Sequence, residues 1–283
     1  MKILTFDIEE WFHILDNVST RSENEWRNYP SRIHGNMDRI LSLLEKNQQR
    51  GTFFCLGWIA EKYPEVIRQI VDAGHDIGSH STMHQLAYDQ SRQEYKKDLE
   101  RSIKVLEDIT GQSVRYYRAP GFSITTENLW AFEELASHGI ELDCSVFPGN
   151  HGHGGIPRYS HALPSIIEYQ GISMKSLPIN SVKLFGVNII FSGGGYFRIA
   201  PLWLLDRWFR QSGYVMTYFH PRDFDAAQPV VPGLSMMRKF KSYVGLGGSL
   251  RKLETLLTRF DFCTVSEAEA RTDWAGAPRV RLG

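Results

Sequence analysis

Cysteine, long apolar runs and net charge are all scarce in this 283-residue chain. Its three cysteines, Cys55, Cys144 and Cys263, are odd in number and scattered, which fits reduced thiols in a cytoplasmic compartment rather than a disulfide framework. The longest apolar strings, 187–191 and 215–219, have strand length. They fall short of the roughly 18 residues that a membrane helix needs, so no integral membrane segment is expected. The opening Met1-Lys2-Ile3-Leu4-Thr5-Phe6-Asp7 reaches an acid before the apolar stretch of about 7–15 residues that marks a secretory leader. Lys plus Arg number 32 and Asp plus Glu number 32. With no overall field to hold a polyanion, nucleic acid is not an expected partner.

Short apolar strands alternate with helical stretches. Strands are expected at 2–6, 52–56, 76–79, 115–118, 141–145, 214–219 and near 262–265. Apolar residues at helical spacing mark helices at 33–47 and 59–71, around Leu99–Leu106 up to Gly111, and at 127–137, 203–211 and 250–259. About seven such units argue for an α/β protein, a distorted (β/α)7-type barrel rather than an open sheet. The stretches 17–30, 148–164 and 224–247 read as long loop insertions. A single domain over 1–270 is expected, with a fraying tail at 271–283.

Chemistry-bearing residues gather at the strand ends, where β/α barrels place their active sites. Asp7, Glu9 and Glu10 follow the first strand, with Asp7 and Glu9 on one side if the pleat persists. His80 and His84, four apart on one helical turn, can present two imidazoles to a single ion; with a carboxylate they make a two-His-one-carboxylate set. Arg118 precedes a Pro120-Gly121 turn and can orient a neighbouring carboxylate. Asp143 ends one strand and His220 another. Each cluster alone is matched by a plainer reading as a solvated turn or a satisfied histidine. Three consecutive glycines, Gly193–Gly195, after an apolar strand call for close backbone approach or a tight turn.

Taken in order, Thr5-Phe6-Asp7-Ile8-Glu9, His80-Ser81-Thr82-Met83-His84, Arg118-Ala119-Pro120-Gly121, Asp143-Cys144-Ser145 and Tyr218-Phe219-His220 resemble the motif series of the polysaccharide deacetylase family, the NodB-homology fold of carbohydrate esterase family 4. The stretches 191–198 and 245–248 are similar to the branch encoded with exopolysaccharide or O-antigen synthesis genes. One departure stands out: Ile8 takes the place of the second aspartate of the common Thr-Phe-Asp-Asp motif, and Glu9 is displaced by one.

The resemblance implies a hydrolase that removes an N-acetyl group from an amino sugar of a polysaccharide or its precursor. It implies a divalent ion, zinc, on Glu9, His80 and His84, with Glu10 as the fallback ligand. It further implies Asp7 as base with Arg118 as its partner, His220 as acid, Asp143 orienting His220, and the Gly121 N–H as oxyanion donor. His151, Gly194 and Tyr196 are expected at the sugar, and His13 is a possible further contact. Two rivals remain: another amide hydrolase on the same fold, such as a sugar deformylase, and a non-catalytic carbohydrate-binding protein.

Overall fold

The computed structural model describes residues 1–149, 153–159, 161–184 and 187–283, without the side chains of Leu184 and Val187. The elements run β1 (Lys2–Ile3), β2 (Thr5–Ile8), α1 (Glu23–Trp26), α2 (Ile33–Lys46), β3 (Thr52–Cys55), α3 (Gly57–Lys62), α4 (Pro64–Asp72), β4 (Asp76–Ser79), α5 (Arg92–Thr110), β5 (Tyr116–Tyr117), α6 (Trp130–Ser137) and β6 (Leu142–Asp143). They continue with β7 (Ser165–Tyr169), β8 (Ile172–Ser176), β9 (Val182–Leu184), β10 (Val187–Ile189), α7 (Gly194–Ile199), α8 (Leu202–Gln211), β11 (Val215–Met216), α9 (Met236–Tyr243), α10 (Leu246–Arg259), α11 (Val265–Arg271) and β12 (Arg279–Arg281).

Strands β2, β3, β4, β5, β6 and β8 lie side by side and parallel. All four residues of β2 and of β3 are buried, as strands covered on both faces must be. One row of partners runs Ile8–Cys55–Ser79–Tyr117–Asp143–Ser176. The residues directly after three members of that row are Glu9, His80 and Arg118, so the register alone delivers them to one rim.

The ring closes on the other side of β2. Lys2 pairs with Val215, and Phe6 bridges Phe219 in parallel. Gly193 then bridges Tyr218. Between Asn180 and Met216 the seam is joined by side chains rather than by a ladder: the Asn180 Oδ1 accepts from the Met216 N–H at 3.0 Å, and the Tyr214 hydroxyl donates to the Pro178 carbonyl at 2.7 Å. The result is a distorted β/α barrel. Phe6 holds its centre, stacked on Phe53 at 4.9 Å and tilted against Phe219 at 5.8 Å; burying each such ring is worth roughly 1.5–3 kcal/mol. The three cysteines are buried and free.

Several expectations are corrected. The stripe at 59–71 is two helices, because Pro64 lacks an N–H and Tyr63 takes φ −136°, ψ 60°, which starts α4 afresh. The stretch 224–247 contains α9, capped by the Ser235 hydroxyl. Near 262–265 only Cys263 bridges Ile3; Thr264 then caps α11 in a capping box with Glu267. The stretch 271–283 does not simply fray: β12 pairs in parallel with β7, the outer strand of the antiparallel β7–β8 hairpin. That hairpin turns on Gln170 (φ 46°) and Gly171 (φ 83°), a left-handed pair that lacks the usual Asn-Gly signal.

Candidate active site

Asp7 lies inside the barrel with Arg118, which is fully buried. The Arg118 Nη1 donates to Asp7 Oδ1 at 2.7 Å and to the Thr5 hydroxyl at 2.8 Å, and the guanidinium lies over the Phe54 ring at 4.2 Å. These contacts fix the carboxylate and leave Oδ2 free of the arginine.

Glu9, His80 and His84 are buried and offer one ligand atom each, all within 4.8 Å of one another. The His80 Nδ1–H donates to the Arg118 carbonyl at 2.8 Å, which leaves its Nε2 lone pair for an ion. Burial holds the His80 imidazole down at about 4, against the opposing charge of Asp7, so it is neutral at physiological pH. The Glu9 Oε2 sits 2.6 Å from the His84 Nε2, yet that oxygen is buried without a donor in hydrogen-bonding geometry. A carboxylate oxygen left without a donor beside two imidazole nitrogens, one from each of two histidines, makes a donor set that fits a divalent cation. Burial works to raise the Glu9 carboxyl, but the charges of His84 and His220 outweigh it and hold it at about 2.

His80 and His84 do not share a helical turn. Ser81 (φ 67°) and His84 (φ 51°) are both left-handed, and the segment is an irregular loop. Asp98 of α5 holds it, accepting from the Thr82 N–H at 2.7 Å and the Met83 N–H at 3.0 Å. Strain of this kind at non-glycine residues persists only where the surroundings enforce it.

Glu10 does not join the cluster. Its carboxylate caps α2, accepting from the Arg32 N–H at 3.0 Å, the Ile33 N–H at 3.2 Å and the Ser31 hydroxyl. Ile8 is buried in the core, so the departure from the common first motif moves the acid outward by one residue, off the strand and onto the rim.

His220 directly follows the bridge to Phe6. Its Nε2 lies 3.8 Å from Asp7 Oδ2 and 4.0 Å from Glu9 Oε1. Asp223 Oδ2 accepts from both the His220 N–H and its Nδ1, each at 3.0 Å. Buried Arg198 grips the other oxygen of Asp223, while its Nη2 donates to the Lys241 carbonyl at 2.6 Å and its Nε to the Val244 carbonyl at 3.2 Å. Burial would lower the His220 pKa, but the bond to Asp223 and the charges of Glu9, Asp223 and Asp7 carry it up to about 9. Asp223 is held well below the usual carboxylate range: burial opposes this, and Arg198 and His220 prevail.

Asp143 therefore does not occupy the place expected of it. Its Oδ2 accepts from the Val146 N–H at 3.2 Å and from the Ser176 hydroxyl at 3.5 Å, and burial raises its pKa to about 6. Asp223 and Arg198 take the positioning place instead. The sequence signal was an aspartate three residues after a strand-end histidine, which also reads as an ordinary first-turn acid.

A cavity of about 270 Å³ opens over these groups, lined by Asp7, Glu9, His13, His80, His84 and His220. Gly121 (φ 61°) and Gly194 (φ 55°) line it too. A Cβ on Gly121 would come within 2.9 Å of Leu86, and one on Gly194 within 2.9 Å of the Tyr218 hydroxyl. Tyr196 is exposed and outside the lining. His151 lies outside the described residues.

Residues 4–140 match the polysaccharide deacetylase family model. This part of the chain belongs to that family. Residues 144–270 match a separate model described as a domain of unknown function. The chain is 31% identical over 97 residues to a peptidoglycan-N-acetylglucosamine deacetylase of Bacillus cereus, covering 34% of this chain and 35% of that protein. It is 32% identical over 110 residues to a peptidoglycan deacetylase of Helicobacter pylori, covering 38% and 36%. The match thus spans little more than a third of either relative. A crystal structure of a protein described as a polysaccharide deacetylase from Mycobacterium smegmatis superposes over 99% of this chain and 92% of that one, with a TM-score of 0.66 and 19% identity. The barrel of this chain is the fold of that family. Among the described residues, no helix is long and apolar enough to cross a membrane.

Proposed function

We propose that this protein is a divalent-metal-dependent hydrolase, of the branch associated with surface-polysaccharide synthesis, that removes the N-acetyl group from an amino sugar of a polysaccharide or its precursor. The observation that carries the reading is the convergence of three parts on one cavity: the Glu9–His80–His84 donor set, Asp7 held by Arg118, and His220 held by Asp223.

A divalent ion on Glu9, His80 and His84, zinc being the first candidate for an N,N,O set, supplies Lewis-acid chemistry and a nucleophilic water at neutral pH. Asp7 takes the proton from the attacking water through Oδ2, since Oδ1 is engaged by Arg118. The Gly121 N–H, at the edge of the cavity, is the proposed donor to the oxyanion. His220, charged at neutral pH, gives its Nε2 proton to the departing nitrogen as the C–N bond breaks; acetate and a free amine leave. Asp223 fixes the ring so that Nε2 points inward, and Arg198 fixes Asp223.

The test is acetate release from a panel of N-acetylated sugars and polymers by the metal-loaded protein, with metal content measured in parallel. One divalent ion per chain and acetate release abolished by His84→Ala support the reading. An ion-free wild type, or release unaffected by that change, overturns it.

A further inference from the structure

Three arginines are buried among the described residues: Arg118, Arg198 and Arg222. The first two face carboxylates, Asp7 and Asp223. Arg222 faces none. Its Nε and Nη2 are buried without an acceptor, and its guanidinium rests over the Tyr243 ring at 5.6 Å. A charge is rarely buried unpaired, because its lost hydration goes uncompensated. Arg222 also lines the cavity that holds Glu9, His80, His84 and His220, two residues along from His220 itself.

A second cation stands on the same wall. Lys241 of α9 lines the cavity, is exposed, and enters no ion pair among the described residues. The acids of the cavity cannot serve either group. Asp7 is paired with Arg118 and Asp223 with Arg198 and His220, while Glu9 belongs to the proposed ion site, and none of the three forms an ion pair with Arg222 or Lys241 among the described residues. His153, also on the lining, already has Asp16 at 3.3 Å. Two cationic residues, one planar and desolvated and the other on a long flexible stem, therefore line the cavity without a direct ion-pair partner; the charges of Asp223 and Glu9 reach Arg222 only from beyond contact distance.

We propose that Arg222 and Lys241 form a subsite for an oxyanion carried by the glycan, a carboxylate or a phosphate, so that the protein selects acidic over neutral N-acetylated sugars. The oxyanion meets the guanidinium on its cavity side, at Nη1, while Nε and Nη2 stay sealed behind it, and the flexible ammonium swings in from the solvent side. The subsite deepens the deacetylase reading but is read by binding, so the two can fail separately.

The experiment is calorimetric titration of the metal-loaded full chain with three probes: di-N-acetylchitobiose, a disaccharide of glucuronic acid and N-acetylglucosamine, and N-acetylglucosamine 1-phosphate. Tighter binding of at least one acidic probe, by about tenfold or more, is expected. Whichever acid binds tighter identifies the oxyanion as carboxylate or phosphate. Arg222→Met and Lys241→Met should each shrink the acidic-to-neutral ratio, and the pair together should bring it near one. Because Arg222 is buried without a partner, Arg222→Met should melt no lower than wild type; were it to misfold, the surface change Lys241→Met would carry the test. Equal binding of neutral and acidic probes by the wild type, or a preference that survives both changes, overturns the proposal. Acidic preference without acetate release from any sugar would retain the subsite and reject the hydrolase.

Discussion

The Nε2 of His220 and Oδ2 of Asp7 lie 3.8 Å apart, and each residue directly follows a member of the Phe6–Phe219 bridge. The pair that holds the proposed base and acid is thus set by one rung of barrel closure, and each member is oriented from behind by an ion-paired partner.

That arrangement makes the base costly to neutralise. Asp7→Asn keeps the side-chain shape but leaves Arg118 buried without a counter-charge, and should destabilise the fold by about 3–5 kcal/mol. Adding Arg118→Met should recover a large share of that loss. Chemical denaturation of the two single variants and the double variant checks this; additive losses would show that the pair is not coupled.

Removing the orienting acid should act on rate rather than on metal. Asp223→Asn is expected to lower kcat about 10²-fold, with the ion retained. The alkaline limb of the kcat profile should move to lower pH, because the imidazolium loses its anionic partner. Asp143→Asn should leave that limb in place. Steady-state profiles of both variants decide between the two aspartates.

Glu9 and Glu10 should separate cleanly. Glu9→Ala is expected to lose the divalent ion. Glu10→Ala should keep it and lose about 1–2 kcal/mol of stability through the uncapped start of α2. Elemental analysis and urea titration of both variants provide the measurement.

Far from the site, His75 accepts from the Gly51 N–H at 3.3 Å, and its pKa is lowered to about 4, chiefly by burial. Between roughly pH 6.5 and 4 the unfolded chain binds a proton at this residue that the folded chain does not, so stability falls as the pH drops through that window. His75→Gln should remove about 2 kcal/mol of that acid sensitivity in denaturation at pH 7 and pH 4.5. An unchanged difference between the two pH values would reject the assignment.

The rim of the site was legible in the sequence because strand periodicity and register act together: the residues after Ile8, Ser79 and Tyr117 had to share one end of a parallel sheet. The loop conformation between His80 and His84 was not legible. Four-residue spacing looks helical, and only Asp98, from a helix downstream, makes the left-handed turn affordable. Asp223 was hidden for a similar reason, since its meaning comes from Arg198 across the fold. The hairpin at Gln170–Gly171 and the pairing of β12 were missed because neither follows from local pattern; one needs an unusual turn pair and the other a partner more than a hundred residues away.

The seam beside β2 also bears on how the protein is made. The backbone N–H of Thr5 donates to the Thr217 hydroxyl across 212 positions of sequence, next to the Phe6–Phe219 bridge. Contacts between such distant segments form slowly, because a long stretch of chain must be ordered before they are gained. Asp7, Glu9, His80 and His84 belong to the early portion of the chain and His220 to the late one. A nascent or partly refolded molecule can therefore gather the ion ligands and the base while still lacking the acid. Metal uptake should precede turnover during refolding, and the interval between them measures the time needed to close the ring.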